Sequence, residues 1–477
     1  MMVTTKDFHV FSKQGQAYLF LAEPVAIFKI DDDTAHVVQM VEQGKPLSGE
    51  FEHQRWEEAS GFMARYCQKA PKARNMRGPE DISERVSGIY LFLSQKCNLK
   101  CAYCYGDEGE YGRRGTMKEE VLNGSFERFF NDGLDKYFIT FFGGEPLMNL
   151  PMMEKAAKLA EEYRRNGCAD ISMGIVTNGT LYSDKIKKFF DNHIDDVTFS
   201  LDGPKELNDP QRVSKNGDSV YDTATENIRK LTEDGKFNWA FRTIVTSRGC
   251  DKVEEIYDHL NQFGAGGVGV VNVDVPPESP LYLSDEQYRH FVDQIIAVNR
   301  KGLRTFVDGG QAVAFEYPFY IMFYFISRSH ALYHCNAGTN LLAVTAEGDV
   351  YPCHRFVGDE AFNMGNVRDP ELKKSEQFQR IRQRFIHETV DNRAGCKECW
   401  ARYLCGGSCA KYSYAEHGDT APPVERHCLY IKSVVEELLP EMVAIMENPE
   451  EKQAIMRRLA AAVSNRYGTR GIDAHVS

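Results

Sequence analysis

The chain has 477 residues, of which 42% are hydrophobic and 26% are charged, a composition typical of folded globular proteins. This composition excludes wholesale disorder and collagen-like or coiled-coil structures, and the length predicts about two to four domains. The net charge of −12 disfavours nucleic acids and anionic membranes as partners. The sequence has no apolar run of ~20 residues and no N-terminal signal pattern, so we expect a cytoplasmic protein that does not cross a membrane.

Residues 1–80 differ in pattern from the rest and predict a small α+β domain. Two apolar, β-prone runs separated by Glu23-Pro24 predict a hairpin. The aspartates that begin at Asp31 can supply a helix N-cap and first turn, and this helix should stop at Gly44. The other predicted elements of this region are the hairpin strands 17–22 and 25–30, a helix over 56–69 and a polar linker over 71–79.

A regular alternation of strands and helices follows over residues 81–310. The strand-like runs are 89–93, 137–142, 171–177, 197–201, 240–245 and 268–273. The helix-period segments between them are 118–130, 152–164, 184–191, 223–232 and 252–262. Such alternation predicts an α/β fold with a parallel sheet. Six units are too few for an eight-stranded barrel, so we expect a partial (β/α)6 barrel with its chemistry at the C-terminal strand ends.

The last third of the chain is less regular. A helix over 285–299, capped by Ser284, is predicted first. The aromatic segment 310–333 could be core packing or the lining of a substrate cavity. Cysteines dominate from 335 to 428, and helices are predicted over 431–446 and 450–463. We therefore predict a cysteine-rich domain over 311–440 and a helical tail over 441–477.

The chain contains 13 cysteines, an odd and unusually high number. Because cytosolic thiols stay reduced, this count indicates metal-binding or catalytic sulfur before disulfides. Ten of the cysteines fall into a group of three and a group of seven, and three are isolated: Cys67, Cys168 and Cys250.

The group of three follows the first predicted barrel strand as Cys97-x3-Cys101-x2-Cys104. A short loop with this spacing can direct three sulfurs to one centre, and thiolates favour zinc or iron–sulfur clusters. A structural zinc site would need a fourth ligand, and the sequence has none nearby. Three cysteines on a [4Fe–4S] cluster leave one iron open, although a zinc loop or three unrelated buried thiols remain alternatives.

This spacing, with Tyr103 before the third cysteine, resembles the radical S-adenosylmethionine (radical SAM) enzymes. The resemblance implies that Cys97, Cys101 and Cys104 hold a [4Fe–4S] cluster whose open iron binds SAM. It also implies reductive cleavage of SAM to a 5′-deoxyadenosyl radical that abstracts hydrogen. The protein would orient the reactive carbon and exclude water.

Residues at three further strand ends agree with that family and are its expected SAM contacts. The resemblance implies that Glu145, in a Gly-Gly-Glu-Pro turn, holds the SAM amino group and that Arg212 grips the SAM carboxylate, a natural role for a planar fork. A plain turn and a solvated surface arginine are the respective alternatives. The full set of expected cofactor-binding residues is Tyr103, Gly143, Gly144, Glu145, Asn178, Ser200, Asp202 and Arg212.

The group of seven matches the pattern of the SPASM extension found on radical SAM peptide and protein maturases. Its members are Cys335, Cys353, Cys396, Cys399, Cys405, Cys409 and Cys428. The resemblance implies two auxiliary [4Fe–4S] clusters, and so three clusters in total, whereas the bare chemistry would also permit two zinc sites. By family connectivity, Cys396, Cys399, Cys405 and Cys428 hold one auxiliary cluster.

Cys335, Cys353 and Cys409 would hold the other auxiliary cluster, which leaves it one thiolate short. Its fourth iron could be open to a substrate thiolate or filled by another side chain. Cys168 and Cys250 lie on or beside predicted barrel helices, and we expect them to be buried structural thiols.

The N-terminal region resembles the peptide-recognition element of ribosomal-peptide maturases, which binds a leader peptide as an added strand. A structural cap on the barrel is the alternative. Position 354 separates two subclasses: anaerobic sulfatase maturases carry an aspartate after the matching cysteine, and this chain has His354. The run Cys353-His354-x-Phe356-Val357-Gly358 is instead similar to thioether-forming maturases, and the overall layout is most similar to the maturases of quinohemoprotein amine dehydrogenase.

The resemblance implies an enzyme that joins cysteine sulfur to the side-chain methylene carbon of Asp or Glu. The substrate would be a ribosomally made peptide or a small protein subunit, and an external electron donor would be needed. Removing the thiol proton needs a base, and His354 or an acidic residue could serve. A formylglycine-forming sulfatase maturase, an iron–sulfur electron carrier and a non-catalytic peptide-binding scaffold are the alternatives.

Overall fold

The N-terminal region folds as a three-stranded antiparallel sheet covered by two helices. The structure is a computed structural model that describes residues 4–71, 73–75, 85–310 and 316–467. Its first elements are β1 (Phe8–Lys13), β2 (Gln16–Leu21), β3 (Ala26–Ile30), α1 (Asp32–Glu42), α2 (Gly49–Lys69) and the short β4 (Arg74–Asn75). The sheet order is β1-β2-β3, and the inward faces of its strands and helices form a core of their own.

The predicted hairpin and both helices of this region are present. Asp31 caps α1 by accepting a hydrogen bond from the Thr34 backbone N–H, and Gly44, with φ of +68°, follows the end of the helix. The prediction missed β1 and began α2 seven residues too late, at 56 instead of Gly49. Most of the predicted linker over 71–79 lies outside the described residues.

The middle of the chain forms the predicted β/α alternation. Its strands are β5 (Gly88–Gln95), β6 (Gly115–Thr116), β7 (Lys136–Gly143), β8 (Asp170–Thr177), β9 (Asp196–Ser200), β10 (Asn238–Val245) and β11 (Val268–Asn272). Its helices are α3 (Glu119–Phe129), α4 (Leu150–Arg165), α5 (Asp184–His193), α6 (Lys205–Asn208), α7 (Val220–Thr232) and α8 (Val253–Asn261). All six predicted strands and all five predicted helices are confirmed, and α6 is an additional short helix.

The remaining elements are helices with three short strands. The helices are α9 (Asp285–Val307), α10 (Glu316–Ser327), α11 (Glu376–His387), α12 (Arg402–Cys405), α13 (Ala410–His417), α14 (Glu425–Glu447) and α15 (Pro449–Tyr467). The strands are β12 (Ser329–His330), β13 (Leu341–Val344) and β14 (Val350–Tyr351).

The sequence anticipated α9, α14 and α15, and Ser284 with Gln287 forms a capping box at α9. Helices α10, α11, α12 and α13 were not predicted. Residues 311–315 of the aromatic segment lie outside the described part of the chain.

One open, mostly parallel sheet joins the middle and the last third of the chain. Its order is β11-β10-β9-β8-β7-β5-β13-β14, with β6 paired to the end of β5. The six predicted strands are parallel neighbours, as expected for a partial barrel. The sequence analysis missed β13, which lies parallel to β5 and brings the cysteine-rich region onto the sheet.

The N-terminal sheet packs on the cysteine-rich region. The His9 ring stacks on Trp400 at a centroid distance of 4.0 Å, and the His9 Nε2 lies 3.0 Å from a Glu436 carboxylate oxygen on α14. Arg402 donates a hydrogen bond of 2.6 Å to the Lys6 carbonyl. None of the helices in the described ranges combines the length and the apolar character that crossing a membrane requires.

Candidate functional site

The loop that carries Cys97, Cys101 and Cys104 leaves the C-terminal end of β5. Two backbone hydrogen bonds fix it to the loop before α7: Lys100 N–H donates to the Val213 carbonyl and Ala102 N–H to the Gln211 carbonyl, both at 2.8 Å. Burial raises the pKa of Cys97 to about 12 and that of Cys101 to about 11, and neighbouring thiols of the same loop contribute to both shifts. The three sulfurs are therefore close neighbours in a partly buried place.

The Gly143-Gly144 turn at the end of β7 packs directly against this loop. A Cβ on Gly144 would lie 2.2 Å from the Lys96 carbonyl oxygen, and one on Gly143 would lie 2.3 Å from the Ser94 carbonyl oxygen. Gly144 N–H donates to that Ser94 oxygen at 2.8 Å. Both glycines are thus required by the backbone of the cysteine loop itself, a reason that the sequence analysis did not identify.

Glu145 follows this turn and is completely buried. Its carboxylate accepts hydrogen bonds from the Leu147 N–H at 3.1 Å, the Thr177 hydroxyl at 2.9 Å and the Asn178 N–H at 2.9 Å. Burial raises its pKa to about 7, against the lowering effect of these donors. The carboxylate therefore ties the end of β7 to the end of β8 with donors from the chain itself.

Arg212 is buried and paired with Asp202, so it is not the solvated surface arginine of the alternative prediction. Its Nη2 donates to Asp202 Oδ1 at 3.1 Å, and its Nε lies 3.0 Å from Oδ2. The Tyr103 hydroxyl also donates to Asp202, and the Tyr103 ring lies 5.6 Å from the guanidinium carbon. Burial lowers the pKa of Arg212, but the Asp202 carboxylate more than offsets it and the pKa is raised.

Asn178 and Ser200 lie at the ends of β8 and β9, as predicted from their positions. The Asn178 amide donates to Asn98 Oδ1 at 2.9 Å and lies 3.8 Å from the Cys97 sulfur. Asn98 in turn donates to the Thr180 hydroxyl at 2.8 Å. Asn98 and Thr180 support the thiol loop and were missed, because neither belongs to a recognisable motif.

Cys335, Cys353 and Cys409 form the second thiol group. Burial raises the pKa of Cys335 to about 11 and that of Cys353 to about 12, and the Cys409 thiol adds to both shifts. Cys335 keeps accessible surface, whereas Cys353 is buried.

Cys396, Cys399, Cys405 and Cys428 form the third thiol group. Burial raises the pKa of Cys428 to about 11, with contributions from Cys399 and Cys396, and the same two thiols and Cys428 raise the pKa of Cys405. The His427 Nε2 lies 3.7 Å from the Cys405 sulfur.

Arg393 is the main residue that the sequence analysis missed in this region. It is buried and donates to the carbonyls of Ser408, Thr420 and Ala421 at 2.9, 2.6 and 2.8 Å. Burial raises the pKa of both Cys335 and Cys396, and the Arg393 charge opposes both shifts, so Arg393 lies near the second and the third group.

The isolated cysteines have three different surroundings. Cys250 is buried, as expected, and Cys67 is half-buried against the N-terminal core. The prediction that Cys168 is buried is wrong, because the left-handed Gly167 turns the chain outward after α4 and leaves the thiol exposed.

His354 lies among aromatic rings between the first and second thiol groups. Its ring centroid is 4.7 Å from that of Tyr90, 4.9 Å from that of Phe142 and 6.2 Å from that of Tyr105. Burial lowers its pKa to about 3, with a smaller effect from Arg355. Its buried Nδ1 has no hydrogen-bond partner among the described residues.

A cavity of about 430 Å³ opens beside this histidine. Its lining comes from residues next to Cys104, Cys353 and Cys409 and from the segment after β11, and includes Tyr105, Asp274, Arg355, Val357, Asp359 and Lys411. The cysteines themselves are not among these lining residues, and the cavity adjoins the first and second thiol groups through their chain neighbours Tyr105 and Arg355.

The donor sets fit iron–sulfur clusters. Each group consists of mutually close, largely desolvated thiols, and soft thiolates select such clusters. No three His, Cys, Asp or Glu side chains of the described ranges converge tightly enough to bind one ion. A four-iron cluster instead offers each thiolate a separate iron. The first group leaves one iron of such a cluster for another ligand, and the buried pair Asp202–Arg212 adds polar groups beside it.

Two families match the chain. Residues 91–260 match the radical SAM superfamily, and residues 335–400 match SPASM, an iron–sulfur cluster-binding domain. The chain therefore matches a radical SAM domain followed by a SPASM domain, and these matches agree with the S-adenosylmethionine and [4Fe–4S] cofactors expected from the cysteine spacing.

Known proteins that modify peptides or proteins are similar to most of the chain. A cysteine-type anaerobic sulfatase-maturating enzyme of Clostridium perfringens is 25% identical over 367 residues, covering 74% of this chain and 96% of the relative. The structure of native anSMEcpe with bound AdoMet and a Cp18Cys peptide aligns with a TM-score of 0.65 and 22% identity, covering 76% of this chain and 99% of that one. SuiB of Streptococcus suis bound to the precursor peptide SuiA aligns with a TM-score of 0.52 and 14% identity, covering 90% and 100%. Both structural likenesses establish a shared fold.

Proposed function

We propose that this chain forms intrapeptidyl thioether crosslinks, joining a cysteine sulfur to the side-chain methylene carbon of an Asp or Glu residue. The small subunit of quinohemoprotein amine dehydrogenase is the proposed substrate. The observation that carries the proposal is His354, directly after Cys353: its imidazole is neutral, and its buried Nδ1 has no hydrogen-bond partner in the described part of the chain. Its lowered pKa keeps this imidazole neutral at pH 7, so one ring nitrogen carries a lone pair that can accept a hydrogen bond from a substrate thiol.

Each crosslink removes two hydrogens from the peptide. One leaves the carbon as an atom, and the other leaves the sulfur as a proton, with one electron remaining. Iron–sulfur clusters held by the thiol groups, together with SAM, would supply the carbon radical that takes the hydrogen atom. They would also supply an acceptor for the remaining electron. In this proposal Cys97, Cys101 and Cys104 hold the first cluster, and the seven later cysteines hold two more.

The chain's own residues would bind SAM, exclude water and move the thiol proton. We assign SAM contacts to the predicted set at the strand ends, with Arg212 presenting the guanidinium to the SAM carboxylate beside Asp202. Tyr90 and Phe142 pack around His354 and would keep water from the reacting atoms. His354 Nδ1 would accept the proton from the substrate thiol.

The N-terminal sheet would bind the leader segment of the substrate along β3. The opposite edge strand, β1, packs against α14, where Lys13 pairs with Glu437, and β3 meets the same helix at its end through Lys29 and Glu447 at 2.7 Å. On the β3 side, Phe28 contacts Phe62 and Tyr66 at centroid distances of 5.1 and 4.8 Å, and Phe62 is 39% exposed. An open edge beside exposed aromatic side chains suits an added peptide strand.

A formylglycine-forming sulfatase maturase is the second candidate. It is favoured by the relative from Clostridium perfringens, of which this chain covers 96%. Both candidates would begin with the same carbon radical, so cleavage of SAM does not separate them. The fate of the substrate cysteine does.

Mass spectrometry of a candidate subunit co-expressed with the chain tests the proposal. We expect a loss of two hydrogens and one free thiol per crosslink, with a sulfur–carbon bond at an acidic residue. A hydrazide-reactive aldehyde with no such bond would assign the chain to the sulfatase maturases.

The role of His354 has its own test. His354→Gln should slow crosslinking by about 10²-fold, because the proton acceptor is lost. His193→Gln is the matched control, since His193 lies half-exposed at the end of α5 beside Glu161. Equal rates in both variants would remove His354 from the mechanism.

A further inference from the structure

The cavity beside His354 contains a cation whose environment suits a carboxylate. Arg355 follows His354 directly, and two tyrosine rings face its guanidinium carbon, Tyr105 at 5.3 Å and Tyr412 at 4.6 Å. Aromatic faces next to a guanidinium keep its plane in place and leave its in-plane N–H groups to bind an anion.

A carboxylate from the chain already accepts a hydrogen bond from one N–H group of the Arg355 guanidinium. Asp274, which follows β11, accepts a hydrogen bond of 2.6 Å from Arg355 Nη1. The pair joins the radical SAM domain to the SPASM domain across the cavity. The side chains of Arg355 and Asp274 are 21% and 37% exposed, so a ligand that enters the cavity can reach both.

Lys411 is the other cation of the cavity lining, and unlike Arg355 it pairs with a carboxylate from its own side of the cavity. It pairs with Asp359 at 2.9 Å, and its ammonium lies 5.2 Å from the Phe356 ring and 5.4 Å from the Tyr414 ring. Both partners of this pair come from the SPASM side. Lys411 also lacks the bidentate geometry that a guanidinium offers to a carboxylate.

We propose that Arg355 binds the side-chain carboxylate of the acidic substrate residue that is crosslinked, which takes the place of Asp274 on the guanidinium. This inference rests on the proposed thioether-forming function and names the group that selects its acceptor residue. Binding the carboxylate at Arg355 places the adjacent methylene carbon within the cavity that Tyr105 and Arg355 line. Between turnovers, when no substrate carboxylate is bound, Asp274 orients the Arg355 guanidinium.

Two small probes test this in the anaerobic holoenzyme with SAM bound and no reductant. The probes are N-acetyl-aspartate N-methylamide and N-acetyl-asparagine N-methylamide. They differ only in that the first has a side-chain carboxylate and the second a side-chain amide. Their affinities are measured by saturation-transfer NMR titration. We expect the native enzyme to prefer the acidic probe by about tenfold, as for a hydrogen bond to a charged group. Arg355→Gln should abolish this preference, whereas the matched control Lys411→Gln should keep it.

A preference that persists in Arg355→Gln, or that disappears equally in Lys411→Gln, would overturn the proposal. N-acetylglycine separates the other source of a carboxylate. If N-acetylglycine binds as tightly as the acidic probe, the site recognises the carboxylate of a chain terminus, and the assignment to a side-chain carboxylate is wrong. Asp274→Asn adds a variant that keeps Arg355, and it should raise affinity for the acidic probe several-fold. Unchanged or weaker binding in Asp274→Asn would also overturn the proposal.

The binding experiment and the product analysis fail independently. Charge discrimination at Arg355 with an aldehyde product would refute thioether formation and leave the carboxylate site. A thioether product without charge discrimination would refute the carboxylate site alone.

Discussion

The thiol loop of the radical SAM domain and the thiol groups of the SPASM domain are held in place by different means. The loop of Cys97–Cys104 lies at the end of a central strand, fixed by backbone hydrogen bonds and by glycines that allow backbones to touch. In the SPASM domain, regular strands are short, and buried arginine side chains donate to loop carbonyls instead.

This difference shows which forces position each site. In the first region the sheet exists because its apolar strands pack, and the cysteine loop follows from it. In the second region Arg393 and Arg402 replace missing secondary structure, and their buried donors satisfy carbonyls that no strand or helix satisfies. The fold around the first site should therefore tolerate loss of the site's thiols. The fold around the second region should instead depend on single buried arginine side chains.

The largest effect is expected from removing the first thiol group. Replacing Cys97, Cys101 and Cys104 with alanine should abolish SAM cleavage and remove about four of about twelve irons per chain. Because the sheet holds this loop, far-UV circular dichroism should stay unchanged. Cys168→Ala, an exposed thiol outside the groups, is the control for iron analysis. Global unfolding of the triple variant would break the comparison.

Arg393→Met tests the opposite expectation for the SPASM domain. It leaves the carbonyls of Ser408, Thr420 and Ala421 buried without their donor, so we expect a loss on the order of 3–5 kcal/mol of stability. Arg384→Met is the control, since Arg384 is 40% exposed and pairs with Glu388 and Asp419. That control should lose less than about 1 kcal/mol. Denaturation of both variants at matched iron content measures the difference, and equal losses would contradict the role of buried arginine.

Arg212→Ala sharpens the comparison within the first site. Removing the guanidinium should weaken SAM binding more than about tenfold in anaerobic equilibrium dialysis. Arg164→Ala removes an exposed arginine paired with Asp170 and should leave SAM affinity unchanged. Unchanged affinity in Arg212→Ala would reduce Arg212 to a structural partner of Asp202.

The smallest effect concerns the contact of the N-terminal sheet with the SPASM domain. Burial lowers the pKa of His9, but hydrogen bonds to the Glu42 and Glu436 carboxylates more than offset this, and the pKa is raised above 6.5. His9 therefore stabilises the folded state fully below pH 6.5, and this contribution is lost as the pH rises through the folded pKa. We expect the melting temperature of the native chain to fall slightly between pH 6.5 and 8.

His9→Gln should remove the contribution of His9 to the decrease in melting temperature between pH 6.5 and 8. His36→Gln, on the exposed face of α1, is the matched control and should keep it. Thermal melts at both pH values provide the measurement, and an identical pH dependence in the native chain and His9→Gln would rule out His9 as its source.

Much of the fold was predictable because its signals are local. The period of apolar residues gave each of the six parallel strands within a few residues, and Asp31 and Ser284 marked true helix starts. Strand β13 (Leu341–Val344) was missed because four residues are too few for a period to be recognised. Helix α11 was also missed, although its 12 residues are enough to show a helical period.

The sequence by itself determined the close spacing of Cys97, Cys101 and Cys104, because two or three intervening residues restrict where neighbouring sulfurs can lie. The grouping of Cys335, Cys353 and Cys409 came only from the family resemblance, because these residues are far apart in the chain. Only the tertiary structure decided the partners of the charged residues. Asp274 and Arg355 are 81 residues apart in the chain, and Arg212 is buried because Asp202 compensates its charge. Burial and pairing depend on which distant segments pack together, and no local pattern encodes that. The same reason applies to His354, whose Nδ1 has no hydrogen-bond partner among the residues that the structure describes and whose aromatic surroundings come from strands β5 and β7.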